Sequence, residues 1–549
     1  MNFIGEHDAW ITVGLLLGLL TLAALGDGLR RILRHVRILP TPDGPVLGSA
    51  GSEAGLRLLL ALAGVPWIVL LLDHAGIPIR QWSLIGAAAV IQGIGRWTDY
   101  RARPGSRDTD AVESVRGPRS GHRSIAEMAR SAMGWIADAP AAAVLHAAAA
   151  SLVIFSLIQV SFIPVRSYDA LVGYDLVGKV MAYEGRYLSS VFERIFYNAQ
   201  CVYAPFTAAN NGFWYIFHPT VPRLWVPLLA AGFLLWYHAR LRAWAGSATA
   251  AALGCFLVFL PTSFLYQLTV AQTDLPAMVY TTMAIFALLD LLRGGGGYAP
   301  VALFALIATT ARTEGVLFGA AFALVVALRR TPRTRHAFWL VAVPAVYFVY
   351  WNWLVVQGLM GYDPSRHFLG EVPLDPARAW EVVRRAIGII GMRSLFGELG
   401  WLILATVACW GLWRFMGRKR FRLGPVDESA GFGRVVNGSG HGINPPDTRP
   451  TRPGHETIGP DSEITGTVLA ILAVMFIFYM PYFYMWDPVY NPLWTMEHTF
   501  KRGFFRFIPG LLAAFLCLPP IRQALSRCES AGPAASHEGP SVTRRGGDA

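Results

Sequence analysis

Residues 141–164 read AAAVLHAAAASLVIFSLIQVSFIP and run directly into VRSYDALVGYDLVGKVMAYEG at 165–185. The first stretch holds no Asp, Glu, Lys or Arg over a length that crosses a hydrocarbon core at about 1.5 Å per residue. The second places Asp169 and Asp175 just past its end, with Lys179, Glu184 and Arg186 soon after. A membrane-length apolar run that ends in a charged, glycine-punctuated segment suits a polytopic membrane protein with polar work at one face.

The whole chain agrees. Of its 549 residues 54% are hydrophobic and only 15% charged, with a mean hydropathy of +0.42, whereas a soluble chain carries about a quarter charged residues. Blocks of about 20 apolar residues recur, and they give about 13 spans in an all-α polytopic fold. The spans lie near 10–28, 54–74, 81–97, 141–163, 223–240, 246–268, 274–292, 298–311, 315–328, 337–356, 398–415, 464–482 and 503–520. YAPFTAANNGFWYI (204–217) is short, polar and Asn-rich, and reads as a re-entrant or surface helix.

The formal net charge of +12 does not point to nucleic acid, because Arg and Lys gather in connections between spans. GDGLRRILRHVR (26–37), GRWTDYRARPGSR (95–107), HARLRAW (238–244), LRRTPRTRH (328–336) and FMGRKRFR (415–422) all fall on one side. Basic loops stay cytoplasmic, so an inner (plasma) membrane protein is expected, with its N-terminus external and its C-terminus cytoplasmic. The segment 165–185 then faces outward.

The chain divides into an N-terminal three-span region with a cytoplasmic polar loop (1–140), a transmembrane core (141–422), a Gly/Pro/Ser-rich disordered loop (423–462), a two-span continuation of the core (463–520) and a disordered tail (521–549). SIAEMARSAMGWI (124–136) has the periodicity of an interfacial helix. Five cysteines, of which only Cys201 is expected outside, build no disulfide framework.

The outward elements all carry ionisable groups beside span ends. In LTVAQTDLPAMVY (268–280), Asp274 fits an N-cap with Pro276 in the first helical turn, and it is also a candidate for a polar site. In TTARTEGVLF (309–318), Arg312 and Glu314 interrupt an otherwise apolar hairpin, where charges pair or line a cavity. PARAWEVVRRAIGII (376–390) reads as a helix whose Arg378, Arg384 and Arg385 face lipid headgroups or a phosphate. In the loop 484–510, His498, Lys501, Arg502 and Arg506 converge on a span mouth, as an anion site requires.

GGGG (294–297) is only a connecting turn, since no strand precedes it and no Lys-Ser/Thr pair follows. No HExxH or Cys/His cluster occurs. Together these features point to an enzyme acting on a lipid-borne anionic substrate. A divalent Mg or Mn held by some of Asp169, Asp175 and Asp274 is compatible with the carboxylates but not established by them.

Five pieces in order resemble the polytopic glycosyltransferases of the GT-C superfamily, in particular bacterial relatives of dolichyl-phosphate-mannose–protein mannosyltransferase. They are SYDALVGYDLVGKVMAYEG (167–185), YAPFTA (203–208), QTDLPAMVYTTMAIFALL (272–289), TTARTEGVLFGAAFAL (309–324) and WTMEHTFKRGFFRFIP (494–509). The resemblance covers roughly 141–520. Arg312 stands where the family usually has Lys, YAPF departs from the family's Tyr-Pro-Leu-Leu, and three spans precede the matching region.

The resemblance implies a GT-C-like core and a polyprenyl-phosphate-linked sugar donor used at the periplasmic face. It also implies a catalytic carboxylate in the first external loop of the core, which maps to Asp169. A carboxylate base acting by direct attack inverts the anomeric centre, and Arg312, Arg502 and Arg506 are candidates to neutralise the leaving phosphate. Asp175, Asp274, Glu314, His498 and Lys501 are further polar-site candidates. The expected partners are that donor, membrane lipids and an acceptor glycan, glycolipid or protein, with no nucleic acid. A transporter of a lipid or polar solute, and a polyprenyl-linked oligosaccharide polymerase or ligase, are the alternative readings.

Overall fold

The computed structural model describes residues 3–39, 49–101, 139–165, 169–189, 203–329, 334–361, 363, 375–392, 396, 399–402, 405–408, 410–411, 461–484 and 500–530, with no strand among them. In long apolar runs intrahelical bonding is the way to satisfy the backbone, and those among the described residues are helical even where a proline (Pro66, Pro344 or Pro481) lies inside. In chain order they are α1 (Phe3–His35), α2 (Ala50–His74), α3 (Gln81–Arg101), α4 (Pro140–Phe162), α5 (Asp175–Glu184), α6 (Phe206–Phe217), α7 (Trp225–Ala245), α8 (Ala248–Phe259) and α9 (Thr262–Gln267). There follow α10 (Asp274–Leu292), α11 (Tyr298–Ala311), α12 (Gly315–Leu328), α13 (Phe338–Val349), α14 (Pro376–Ile390), α15 (Asp461–Tyr484), α16 (Lys501–Phe504), α17 (Ile508–Leu516) and α18 (Pro519–Ser530).

Six helical stretches among the described residues are long and apolar enough to cross a membrane: Thr12–His35, Ala50–His74, Pro140–Phe162, Asp274–Leu292, Thr334–Leu359 and Ile464–Pro481. A seventh arises if Arg502–Leu516 and Pro519–Arg527, bent by 69°, form one span. The chain is thus an all-α protein with the helices of a membrane protein. α11 and α12 have 14 residues each, or about 21 Å apiece, and in the three-residue turn between them Arg312 is buried while Thr313 and Glu314 are partly buried.

α1 lies along α2 and α3, and α2 continues onto α6 and α7. The approach is close because glycines remove side chains at the crossings: a Cβ on Gly26 would strike the Arg57 carbonyl, and one on Gly28 would lie 2.7 Å from the Gln92 nitrogen. Asp27, Glu53 and Asp99 bind Arg30, Arg31 and Arg34 where α1 and α3 end and α2 begins. α10 packs along α11, and α12 lies between α13 and α15. The C-terminal ends of α7 and α10 meet through Arg240–Asp290 at 2.8 Å, and Arg329 donates to Thr467 near the start of α15 at 2.9 Å. The basic connections therefore cluster away from the end at which α10 begins.

Several expectations change. Residues 206–217, expected as a re-entrant or surface helix, form a short helix that is not on the surface: Phe206, Asn210, Asn211 and Trp214 are fully enclosed. The expected span 246–268 is broken at Leu260–Pro261, because Pro261 cannot continue the hydrogen-bond ladder of α8. The stretch read as the start of a disordered tail is helical to Ser530. The expected helix 376–390 forms with those bounds, and Asp375 accepts from the Ala377 amide at 2.9 Å as its N-cap. The expected disordered loop 423–462 ends in helix, since α15 begins at Asp461; the rest of that loop, the 124–136 helix, the tail beyond 530 and Cys201 lie outside the described residues.

Candidate functional site

α4 ends at Phe162, and the Arg223 guanidinium covers its last carbonyls, bonding Val160 at 3.3 Å and also Ile163, while its other arm reaches the Thr269 carbonyl at 3.1 Å. This cation at a helix C-terminus satisfies groups that would otherwise be orphaned. After the connection, Asp169 precedes a π-helical turn, Ala170–Tyr174, that leads into α5. α5 is pressed onto α6: a Cβ on Gly178 would sit 2.9 Å from the Gly212 nitrogen, so only glycine permits that approach. The far end of the segment is tied to the α2–α3 turn. Ile79 donates to the Gly185 carbonyl at 2.7 Å, Arg80 donates to Ala182 at 2.8 Å, and Asp73 accepts from the Leu188 amide at 3.1 Å.

The segment so held brings Asp169 to the start of a continuous chain of charges. Arg502 donates from Nη1 to Asp169 Oδ2 at 3.1 Å and from Nε to Asp274 Oδ2 at 2.7 Å. The other oxygen of Asp274 accepts from Arg312 Nη1 at 2.5 Å. Arg312 turns its remaining two nitrogens onto Glu314, at 2.6 Å and 3.2 Å, in a bidentate fork. Arg506 Nη2 lies 3.8 Å from the Glu314 carboxylate.

Four elements far apart in sequence thus meet at one end of the bundle. Exposure falls steeply along the chain: the Asp169 and Arg502 side chains are 24% and 25% exposed, while Asp274, Arg312 and Arg506 are buried. The cluster opens at the Asp169–Arg502 end and is sealed at the other.

Burial pushes the Glu314 carboxyl up, but the Arg312 and Arg506 guanidiniums outweigh it and hold the group below its ordinary value. Burial alone would lower Arg312, yet Glu314 and Asp274 raise it well above the usual guanidinium value, so it stays charged. Arg506 has none of its guanidinium nitrogens hydrogen-bonded among the described residues. Its charge is instead set over the rings of Phe318 at 5.3 Å and Tyr479 at 5.9 Å. Gly503 allows this, since a Cβ there would collide with the Tyr479 hydroxyl.

Tyr174 and Tyr203 flank the cluster with ring centroids 5.4 Å apart. Burial raises both phenols above their ordinary value, so they remain protonated hydrogen-bond donors at neutral pH.

Of the residues singled out from sequence, Asp169, Asp274, Arg312, Glu314, Arg502 and Arg506 come together. Asp175 does not join them. It is buried against α6, accepting from the Tyr215 hydroxyl at 2.6 Å and pairing with Lys179 at 2.7 Å. Asp274 is not a cap: Thr273 holds the N-cap position without a side-chain bond, and the Asp274 carboxylate is consumed by two guanidiniums.

The three aspartates do not fit a shared metal, and no group of three His, Cys, Asp or Glu suited to one occurs among the described residues. His498 lies outside the described residues, as does the Lys501 side chain. Arg384 pairs with Glu381 on the exposed face of α14 and takes no part in the cluster. Tyr174, Tyr203, Tyr479 and Arg223 have no sequence signal that separates them from interface aromatics and loop cations. Comparison with protein-family models, with curated proteins and with solved structures finds no match to this chain.

Proposed function

We propose that the chain is an inverting glycosyltransferase, moving a sugar from a polyprenyl-phosphate donor to an acceptor hydroxyl at the external face of the membrane. One observation carries the reading: a carboxylate, Asp169, shares a solvent-open site with Arg502, and further guanidiniums lie buried behind it. The acceptor oxygen attacks the anomeric carbon as its proton passes to an Asp169 carboxylate oxygen. The bond from that carbon to the phosphate oxygen breaks, and its electron pair leaves on the phosphate. Arg502, Arg312 and Arg506 supply fixed positive charge where the leaving group gains negative charge. A single displacement inverts the centre.

Arg506 supports this role because its donors are not hydrogen-bonded within the cluster. Tyr174, which is buried, and Tyr203 beside it add neutral donors next to the cluster. The same reading takes the helices as about 13 spans around a GT-C-like core, with the cluster on the external side, the N-terminus external and the basic ends cytoplasmic. The lipid tail of the donor lies in the bilayer, and the acceptor is a glycan, glycolipid or protein.

The test is transfer from a panel of polyprenyl-phosphate sugars by the purified full chain in proteoliposomes, with the anomeric configuration of the product read by NMR. Transfer with inversion supports the reading. Retention of configuration contradicts direct attack. Transport of a solute without any transferred sugar supports the transporter alternative, and transfer only from pyrophosphate-linked glycans supports the polymerase or ligase one.

A further inference from the structure

We infer that Arg312, Arg502, Arg506, Asp274 and Glu314 form a seat for one negative charge, filled at rest by the Asp169 carboxylate. A lipid-linked phosphodiester of single charge is the ligand that displaces it. The inference rests on the function proposed above and deepens it.

Among the described residues the cluster holds three guanidiniums and three carboxylates. Charges taken out of water must balance, since an uncompensated buried charge is costly. Counted over the described residues, the cluster is therefore neutral, and without Asp169 these groups carry one excess positive charge.

The three carboxylates are not equally replaceable. Asp274 is held through both oxygens by two different arginines, and Glu314 is held by the fork of Arg312. Among the described residues Asp169 is held by one bond, of 3.1 Å through one oxygen, and it stands at the open end. An arriving anion therefore exchanges with Asp169 and with neither of the others.

Arg502 can keep its Nε bond to Asp274 while its Nη1 turns from Asp169 to a phosphate oxygen. A diester of charge minus one restores neutrality, whereas a pyrophosphate leaves the site over-charged. The exchange also frees the Asp169 oxygen that the acceptor's proton needs. Base and donor site are then coupled: the carboxylate is released when the phosphate is seated.

The experiment measures binding, without sugar transfer, to the purified full chain in nanodiscs. The probes are geranyl methyl phosphate (a singly charged prenyl diester), geranyl pyrophosphate and inorganic phosphate. Asp169→Asn keeps the shape and removes the competing charge, so it is expected to bind the diester about 10-fold more tightly than wild type. Asp169→Glu, which keeps the charge, is expected to stay near wild type, and Arg502→Gln to lose binding. The diester is expected to bind wild type better than the pyrophosphate does.

Equal or weaker diester binding by Asp169→Asn, with an unchanged unfolding midpoint, would overturn the seat. Pyrophosphate binding more tightly than the diester would overturn the single-charge assignment, and inorganic phosphate competing as well as the diester would overturn the lipid-linked one. The two levels separate cleanly. A chain that transfers sugar but shows no gain in Asp169→Asn loses only the seat, and one that shows the gain but transfers no sugar loses only the proposed function.

Discussion

Asp274→Asn is the sharpest perturbation of the charge cluster. Asp274 is fully buried and accepts from Arg312 at 2.5 Å and from Arg502 at 2.7 Å. Asparagine keeps one carbonyl oxygen, so one bond survives in neutral form, but its amide nitrogen turns donors toward the other guanidinium. Removing one partner of a buried ion pair costs about 3–5 kcal/mol, chiefly because the remaining charge is left uncompensated. Asp169→Asn removes a pair that is a quarter exposed, and about 1 kcal/mol or less is at stake there.

Equilibrium unfolding in mixed dodecyl-sulfate micelles, followed through the 18 tryptophans, should therefore separate the two variants by several kcal/mol. The double variant Asp274→Asn with Arg312→Met removes both members of the tightest pair. It should cost less than the sum of the single changes by about 1–3 kcal/mol. An Asp274→Asn protein within about 0.5 kcal/mol of wild type would refute the idea that this carboxylate holds the two guanidiniums in place.

Other outcomes follow from the same geometry. Tyr215→Phe leaves the buried Asp175 one donor short and should destabilise by about 1–3 kcal/mol, with sugar transfer retained because Asp175 lies outside the cluster; loss of transfer at full stability would contradict that. Gly315→Ala puts a Cβ within 2.7 Å of the Thr309 nitrogen and should cost about 1–3 kcal/mol while displacing Arg312 and lowering transfer; wild-type behaviour in both assays would show the turn to be looser than its packing.

Glu314 is held below its ordinary value of 4.5. Its stabilisation is fully present above that value and is lost as pH falls through the depressed one. Glu314→Gln should then be less stable than wild type at neutral pH, with the gap closing only in acid below about 4.5. A gap that closes at higher pH would contradict the assignment.

The sequence makes the membrane class and the site's carboxylates and cations legible because both depend on what apolar spans exclude. Charges such as Arg312 and Glu314 stand out against hydrophobic neighbours, and so do Asp274, Arg502 and Arg506. What could not be read is which charge meets which. Asp274 has the residue type of a cap and becomes the hub of two ion pairs, because α10 starts where the 311–315 and 500–507 segments arrive. Asp175 looks equivalent to Asp169, yet helix periodicity turns it onto Tyr215 and Lys179. Arg223 and Tyr479 act through carbonyls and rings that only the fold brings near, so neither announces itself in sequence. The Asn residues of 206–217 are polar enough to suggest a surface helix as readily as a re-entrant one, and burial removes only the surface reading. Asn211 in fact accepts from the buried Trp225 indole at 2.7 Å, and Asn210 donates to the Phe206 and Leu62 carbonyls.

The proposed chemistry stands or falls on Asp169. With the donor found from the polyprenyl-phosphate panel, the initial rate of sugar transfer by Asp169→Asn is compared with wild type in proteoliposomes. A general base is expected to contribute about 10²–10⁴-fold to the rate, so the variant should lose transfer by that factor while its unfolding midpoint stays near wild type. An Asp169→Asn protein that folds and transfers sugar at the wild-type rate would contradict the role given to this carboxylate.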